Sequence, residues 1–215
     1  MLHFKLDPRR EYRLLCLGAH SDDIEIGCGG AVMHLIEQCP QLHVRWEVFS
    51  ASPGRRAEAL SSAECFLQGA GRIEVNVGTF RDGFFPYLGA EIKEYFEQIK
   101  AAFTPDLVFT HYRDDRHQDH RLLSDLAWNT FRNHLILEYE IPKYDGDLGT
   151  PNVLLPLSET ISRRKVRHLL DCFQSQRDKQ WFSEDTFLAL MRLRGIETGE
   201  VAHYAEAFYG RKLVI

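Results

Sequence analysis

The stretch Leu14-Leu15-Cys16-Leu17-Gly18-Ala19-His20-Ser21-Asp22-Asp23-Ile24-Glu25-Ile26-Gly27-Cys28-Gly29-Gly30 decides the fold. It opens as an apolar run of strand length and closes in glycines that read as a turn. The following Ala31-Val32-Met33-His34-Leu35-Ile36-Glu37 has the spacing of a helix with one apolar face. Strand, polar cluster and helix in that order predict the first unit of an α/β protein. His20, Asp22 and Asp23 then stand at the C-terminal end of a parallel strand, where open α/β sheets place their ligands.

Outward from that unit the alternation continues. Residues 42–50, with Val44, Trp46, Val48 and Phe49, suit a second strand, and Pro53-Gly54 breaks the pattern. Residues 55–67 are helical in spacing, 73–77 read as a third strand, and Arg81-Asp82-Gly83-Phe84-Phe85-Pro86 as a loop. Ile92, Tyr95, Phe96 and Ile99 place a helix over 90–103, and 105–110 is a short buried strand. Beyond it the pattern predicts a helix over 118–131, strands over 135–139 and 152–155, helices from 158 to about 175 and over 184–193, and a closing strand over 201–209. The expected architecture is a Rossmann-like, mostly parallel sheet flanked by helices, with a C-terminal strand and helix elaboration, in one domain over 1–215.

Composition narrows the function. A hydrophobic share of 44% and a charged share of 27% are those of an ordinary soluble globular chain. A net charge of −5 gives no electrostatic reason to expect nucleic acid or an anionic membrane surface. Cys16, Cys28, Cys39, Cys65 and Cys172 have no CxxC spacing and read as small buried hydrophobes in a reducing compartment. The first ten residues lack a signal peptide's apolar segment and nothing later is long enough to span a bilayer, so a cytoplasmic location is expected. Gly27-Cys28-Gly29-Gly30 is not the dinucleotide fingerprint, and the polar cluster precedes it where a phosphate would lie.

A second polar cluster, Thr110-His111-Tyr112-Arg113-Asp114-Asp115-Arg116-His117-Gln118-Asp119-His120, follows the strand over 105–110. His117 and His120 face the same way if a helix begins there. With His20 and Asp23 they supply the donors of a hydrolytic metal site, in which zinc takes three nitrogen or oxygen ligands and keeps a position open for water. Alone, the paired Asp residues read equally as loop hydrogen bonding and helix capping, and HxDH as a solvated helix start. Both clusters at the ends of parallel strands in one small domain point to a metal.

Ala19-His20-Ser21-Asp22-Asp23 through Gly30 resembles the AHPDD…GxGG motif of the LmbE-like (PIG-L) N-deacetylases, and Arg116-His117-Gln118-Asp119-His120 resembles their RHPDH motif. Ala205-Glu206-Ala207-Phe208 is similar to the family's closing strand. The resemblance implies zinc ligands at His20, Asp23 and His120, with Asp22 as general base. It implies His117 as the cationic oxyanion stabiliser and acid for the leaving amine, and leaves Asp119 either orienting an imidazole or capping the helix. Iron(II) suits the same two His and one carboxylate. The implied substrate is a small acylated amino sugar, an N-acetylglucosamine-type conjugate. An amidase for another acylated small molecule, such as an antibiotic or thiol conjugate, shares the same site, and a degenerate sugar- or nucleotide-binding module is the non-enzymatic alternative. Ring-forming relatives make a homo-oligomer the implied assembly.

The departures are Ser21 for the usual Pro, Glu25 one place later than in the commoner form, and Asp115 where some members carry a Tyr oxyanion donor. The RHxDH form is similar to bacillithiol-pathway deacetylases, in which Arg116 would meet an anionic aglycone or stabilise its loop. Arg55 and Asp82 occupy loops where the family holds sugar hydroxyls, with surface ion pairing as the competing role. Phe84, Phe85 and Tyr87 read as core, interface or pocket wall. His111, Tyr112 and Asp114 read as supporting loop residues, and His3, His34, His43, His134, His168 and His203 as structural.

Overall fold

The computed structural model describes residues 5–199 and 201–214; His3 lies outside the described residues. Seven strands form one sheet in the order β3-β2-β1-β4-β5-β7-β6. They are β1 (Arg13–Gly18), β2 (His43–Val48), β3 (Arg72–Val77), β4 (Leu107–His111), β5 (Leu135–Tyr139), β6 (Val153–Leu157) and β7 (Tyr204–Gly210). The first five run parallel, and β7 lies antiparallel between β5 and β6. The mostly parallel sheet and its C-terminal elaboration agree with the sequence pattern.

Apolar strands bury both faces of this sheet. Leu14 and Cys16 of β1 pack with helices α1 (Asp23–Gln38), α2 (Pro53–Phe66), α5 (Glu159–Cys172) and α6 (Glu184–Glu197). Leu15 and Leu17 face the other way, against α3 (Gly89–Ala102) and α4 (Gln118–Thr130). Serine caps fix three of the helix starts: Ser52, Ser158 and Ser183 accept from the N–H groups of Arg55, Ile161 and Thr186.

One expectation is corrected. Residues 27–30 are not a turn; they lie inside α1, which begins at Asp23. The glycines serve close packing there. A Cβ on Gly27 would stand 2.1 Å from the ring of buried Tyr139, and one on Gly30 would stand 2.6 Å from Leu157 and 2.8 Å from Glu206. Smaller differences are at element ends: β7 starts at Tyr204, β6 runs to Leu157, α6 runs to Glu197, and α5 stops at Cys172 before a 3-10 turn over Gln174–Gln176.

β1 and β4 are neighbours whose onward connections leave in opposite directions, to β2 on one side and β5 on the other. That is the topological switch point of an open α/β sheet, the place where such sheets bind their ligands. Both polar clusters feed into it.

Candidate metal centre

His20 lies two residues beyond β1, Asp23 opens α1, and His120 is in the first turn of α4. Asp23 Oδ2 is the hub. It accepts from the backbone N–H of His20 at 2.6 Å and lies 3.2 Å from His20 Nδ1 and 3.5 Å from His120 Nε2. The two imidazole nitrogens are 3.2 Å apart. Tetrahedral N/O donors at zinc bond lengths of ~2.1 Å are ~3.4 Å apart along each edge. The donor triangle therefore has the size and chemistry of a zinc ligand face, and these three side chains fit such an ion. All three are at most 12% exposed.

The donors are held from behind by residues of both strand ends. Asp115 Oδ2 lies 2.9 Å from His120 Nδ1, and Lys143 Nζ is 3.0 Å from the same carboxylate oxygen. Asp119 Oδ2 is 3.2 Å from His20 Nε2 while its two oxygens accept the N–H groups of Gly83 and Phe85 at 2.7 and 3.1 Å. Of the two roles open to Asp119, the structure shows the imidazole contact; the N-cap of α4 is His117, whose ring accepts from the Asp119 N–H at 3.3 Å. His111, expected to support either the ligands or the loop, ends β4 fully buried against the ligands. Its Nε2 accepts from the Ala19 N–H at 2.9 Å and lies 3.3 Å from Asp23 Oδ2, and its ring stacks on His120.

Charge follows from that crowding. Burial works to raise the Asp23 pKa, but the His120, His20 and His111 imidazoles outweigh it and hold the carboxyl well below the usual range. Burial opposes protonation of His20, yet Asp23, Asp119 and Asp82 carry its pKa well above the ordinary value. His120 is raised in the same way by Asp23 and Asp115 against its burial. Burial and then His120 push His111 down to about 4, so it is neutral. Burial, then His120 and His20, lower the His117 pKa.

The remaining predicted residues are distributed around the donors. Asp22 is buried beside them, with Arg55 Nη2 2.8 Å from its Oδ1, out of line for a hydrogen bond. Arg55 is therefore ion-paired, but with a buried carboxylate of the site rather than at the surface. Asp82, 71% exposed, places Oδ1 3.1 Å from His20 Nε2. Arg116 is exposed, its backbone N–H bound to Asp147 Oδ2 at 2.7 Å. Phe85 is core, whereas Phe84 and Tyr87 are exposed beside it. Glu25 lies fully buried in the first turn of α1, and burial pushes its pKa well above the ordinary value.

Two contacts escaped the sequence reading. The Asp115 contact was detectable as a carboxylate two places before His117. Lys143 comes from the Pro/Gly/Asp-rich loop after β5, and nothing in its local sequence ties it to His120.

The family model described as PIG-L, GlcNAc-PI de-N-acetylase, matches residues 15–131, which contain both polar clusters. The fold is similar to the conserved protein TT1542 from Thermus thermophilus (21% identity, 95% of this chain and 96% of that one, TM-score 0.72). It is also similar to the N,N'-diacetylchitobiose deacetylase of Pyrococcus horikoshii (19%, 93% and 84%, TM-score 0.65). A third similar structure is GalB, the 4-carboxy-2-hydroxymuconate hydratase of Pseudomonas putida KT2440 (16%, 95% and 98%, TM-score 0.71).

Proposed function

The chain belongs to the PIG-L family, and from that premise we propose that it is a metal-dependent N-deacetylase that releases acetate from an N-acetylglucosamine-type conjugate. The observation that carries this reading is the convergence of His20 Nδ1, Asp23 Oδ2 and His120 Nε2 within 3.5 Å of one another. Because one fold serves a deacetylase and a hydratase among the similar structures, the sheet alone does not choose the reaction. The donor set supports a metal: two imidazoles and a carboxylate suit zinc, with iron(II) the second candidate; the deacetylase reading is supported by the family match.

His20, Asp23 and His120 would hold the ion. Bound there, it supplies Lewis acidity, lowering the pKa of a water towards ~7 and polarising the amide oxygen. Asp22, adjacent in sequence and ion-paired with Arg55, accepts the proton of the attacking water. His117 faces the same space, with its ring 4.8 Å from that of His20 and 4.5 Å from that of His120. Its protonated form would deliver a proton to the leaving amine as negative charge develops on the substrate, and the proton that Asp22 took from the water would restore it, so that no net proton is consumed. Water thereby adds across the C–N bond, giving acetate and a free amino sugar. Asp119 orients His20 and Arg55 pairs with Asp22, while Asp82 and Arg116, exposed at the rim, are assigned to the conjugate.

The test is metal content by elemental analysis together with acetate release from N-acetylglucosamine conjugates. About one zinc or iron per chain is expected, lost in Asp23→Ala. Asp22→Asn should keep the ion and lose about 100-fold or more in kcat. A wild-type protein that takes up no metal when offered zinc refutes the reading and favours a binding module.

A further inference from the structure

The loop after β5 is tied at its neck by a side chain from α6. Arg194 donates from Nε to Glu140 Oε2 at 2.9 Å and from Nη2 to Glu140 Oε1 at 2.7 Å. The same Nη2 reaches the Gly149 carbonyl at 3.0 Å, and Glu140 Oε1 accepts the Gly149 N–H at 3.2 Å. Both ends of the segment 140–149 are therefore bound by one buried ion pair. A Cβ on Gly149 would stand 2.4 Å from the Tyr209 hydroxyl oxygen, so this neck closes over a glycine. Between its ends the segment has neither helix nor strand, the form of a compact loop whose ends are pinned together. Its two inward charges go to the second polar cluster. Lys143 Nζ meets Asp147 Oδ2 and, at 3.0 Å, Asp115 Oδ2, and Asp147 accepts the Arg116 N–H at 2.7 Å. We propose that Glu140 and Arg194 are positioning residues of the metal centre, which act by holding this loop over Asp115 and, through Asp115, fix His120.

The direction of the effect follows from what an open neck would change. Lys143 and Asp147 would leave together, one cation and one anion, so the net charge beside the centre would stay the same. The solvent at Asp115 would not. Asp115 is buried, with Oδ2 at His120 Nδ1 and Oδ1 on the His117 N–H, and a hydrogen bond kept from water is electrostatically stronger. Hydrated, the carboxylate holds the imidazole less firmly, and the ligand loses its fixed orientation and part of its basicity. Metal affinity should therefore fall when the neck opens. Glu140 and Arg194 also line a small cavity against Ile26 and Gly27 of α1, which gives them a second route to the centre, through Asp23. An effect that passes through the loop depends on Asp115, whereas one that passes through α1 does not.

This inference rests on the deacetylase reading in that it needs an ion at His20, Asp23 and His120. Zinc competition with a chromophoric chelator tests it without a substrate, beside amide hydrogen exchange of residues 141–148 in chelator. Glu140→Leu and Arg194→Met are made together, so that neither charge is left buried without its partner. Gly149→Ala, a second variant, disturbs the neck with both charges in place. Each should speed exchange across the loop and weaken zinc binding about 3–10-fold, less than or comparable to direct loss of a ligand's partner. In an Asp115→Asn background the same changes should move affinity by less than about twofold. Unchanged affinity overturns the proposal whether or not exchange quickens, and a lower thermal transition alone would leave the pair a purely structural role. An equal loss of affinity with Asp115→Asn also overturns it, and traces the effect to α1. Either failure leaves the deacetylase reading standing. A wild type that takes up no zinc refutes that reading and this inference together.

Discussion

Replacing Asp115 with Asn isolates the contribution of the carboxylate behind His120. Asp115 Oδ2 sits 2.9 Å from His120 Nδ1, and its Oδ1 accepts the His117 N–H at 2.7 Å. Its side chain is 3% exposed and that of Lys143 9%, so solvent does not screen the arrangement. A ligating imidazole donates its other N–H to such a carboxylate, which fixes the tautomer and ring orientation and makes the ligating nitrogen more basic. Asn keeps an oxygen of the right shape but removes the charge. Loss of such a partner typically lowers metal affinity about 10–100-fold, or ~1.4–2.8 kcal/mol. Lys143 retains its contact with Asp147 Oδ2, so the loop keeps an anchor and the variant should fold. Competition for zinc with a chromophoric chelator reads the affinity directly, without a substrate. A dissociation constant within about threefold of wild type, alongside a large loss in His120→Ala, would refute the idea that the carboxylate tunes this ligand.

Two further outcomes follow from other parts of the molecule. The folded-state pKa values of His20 and His120 are raised, so their contribution to metal-free stability is complete below ~6.5 and is lost as pH rises through the raised values; zinc needs them unprotonated, so its affinity should climb over that same range. Thermal melts of chelator-treated protein and zinc competition, both between pH 6 and 9, check the opposite signs. Gly27→Ala should cost about 3 kcal/mol or prevent folding, because the new methyl group meets the ring of Tyr139, whose hydroxyl is tied to the Leu17 carbonyl at 2.6 Å; Gly54→Ala, with open space around it, is the near-neutral control in urea unfolding.

The sheet was legible because buried parallel strands are written as apolar runs and the crossover helices as 3.6-residue periodicity. His20, Asp23, His117 and His120 were legible because the clusters follow those runs directly. Residues 27–30 were misread since glycines usually break a helix, and the side chains that require them, Phe66 of α2, Tyr139 of β5, Leu157 of β6 and Glu206 of β7, come from elsewhere in the chain. The partner of Arg55 was only half legible. Its position near the strand ends could be read, but its pairing with Asp22 depends on where α2 begins relative to α1. Lys143 was invisible for a plainer reason: a lysine in a polar loop looks like every other surface lysine until the fold buries it.

The family match ends at residue 131, yet the centre depends on chain beyond that point. Lys143 meets Asp115, and Asp147 receives the Arg116 N–H. The buried pair of Lys165 and Glu206 reaches α1 itself. Lys165 donates to the Ile26 carbonyl at 2.6 Å, and Glu206 accepts from the Gly30 and Ala31 N–H groups at 2.8 and 2.6 Å. A buried ion pair is weak evidence for stability. What distinguishes this one is that both members also bind backbone of a single helix, one from α5 and one from β7, and so fix its depth and rotation. Asp23 is the first residue of that helix. The antiparallel strands added after the parallel core are therefore the support against which the helix carrying the central carboxylate is set, and Gly30, whose missing Cβ leaves room for Glu206, is the concession that lets it seat.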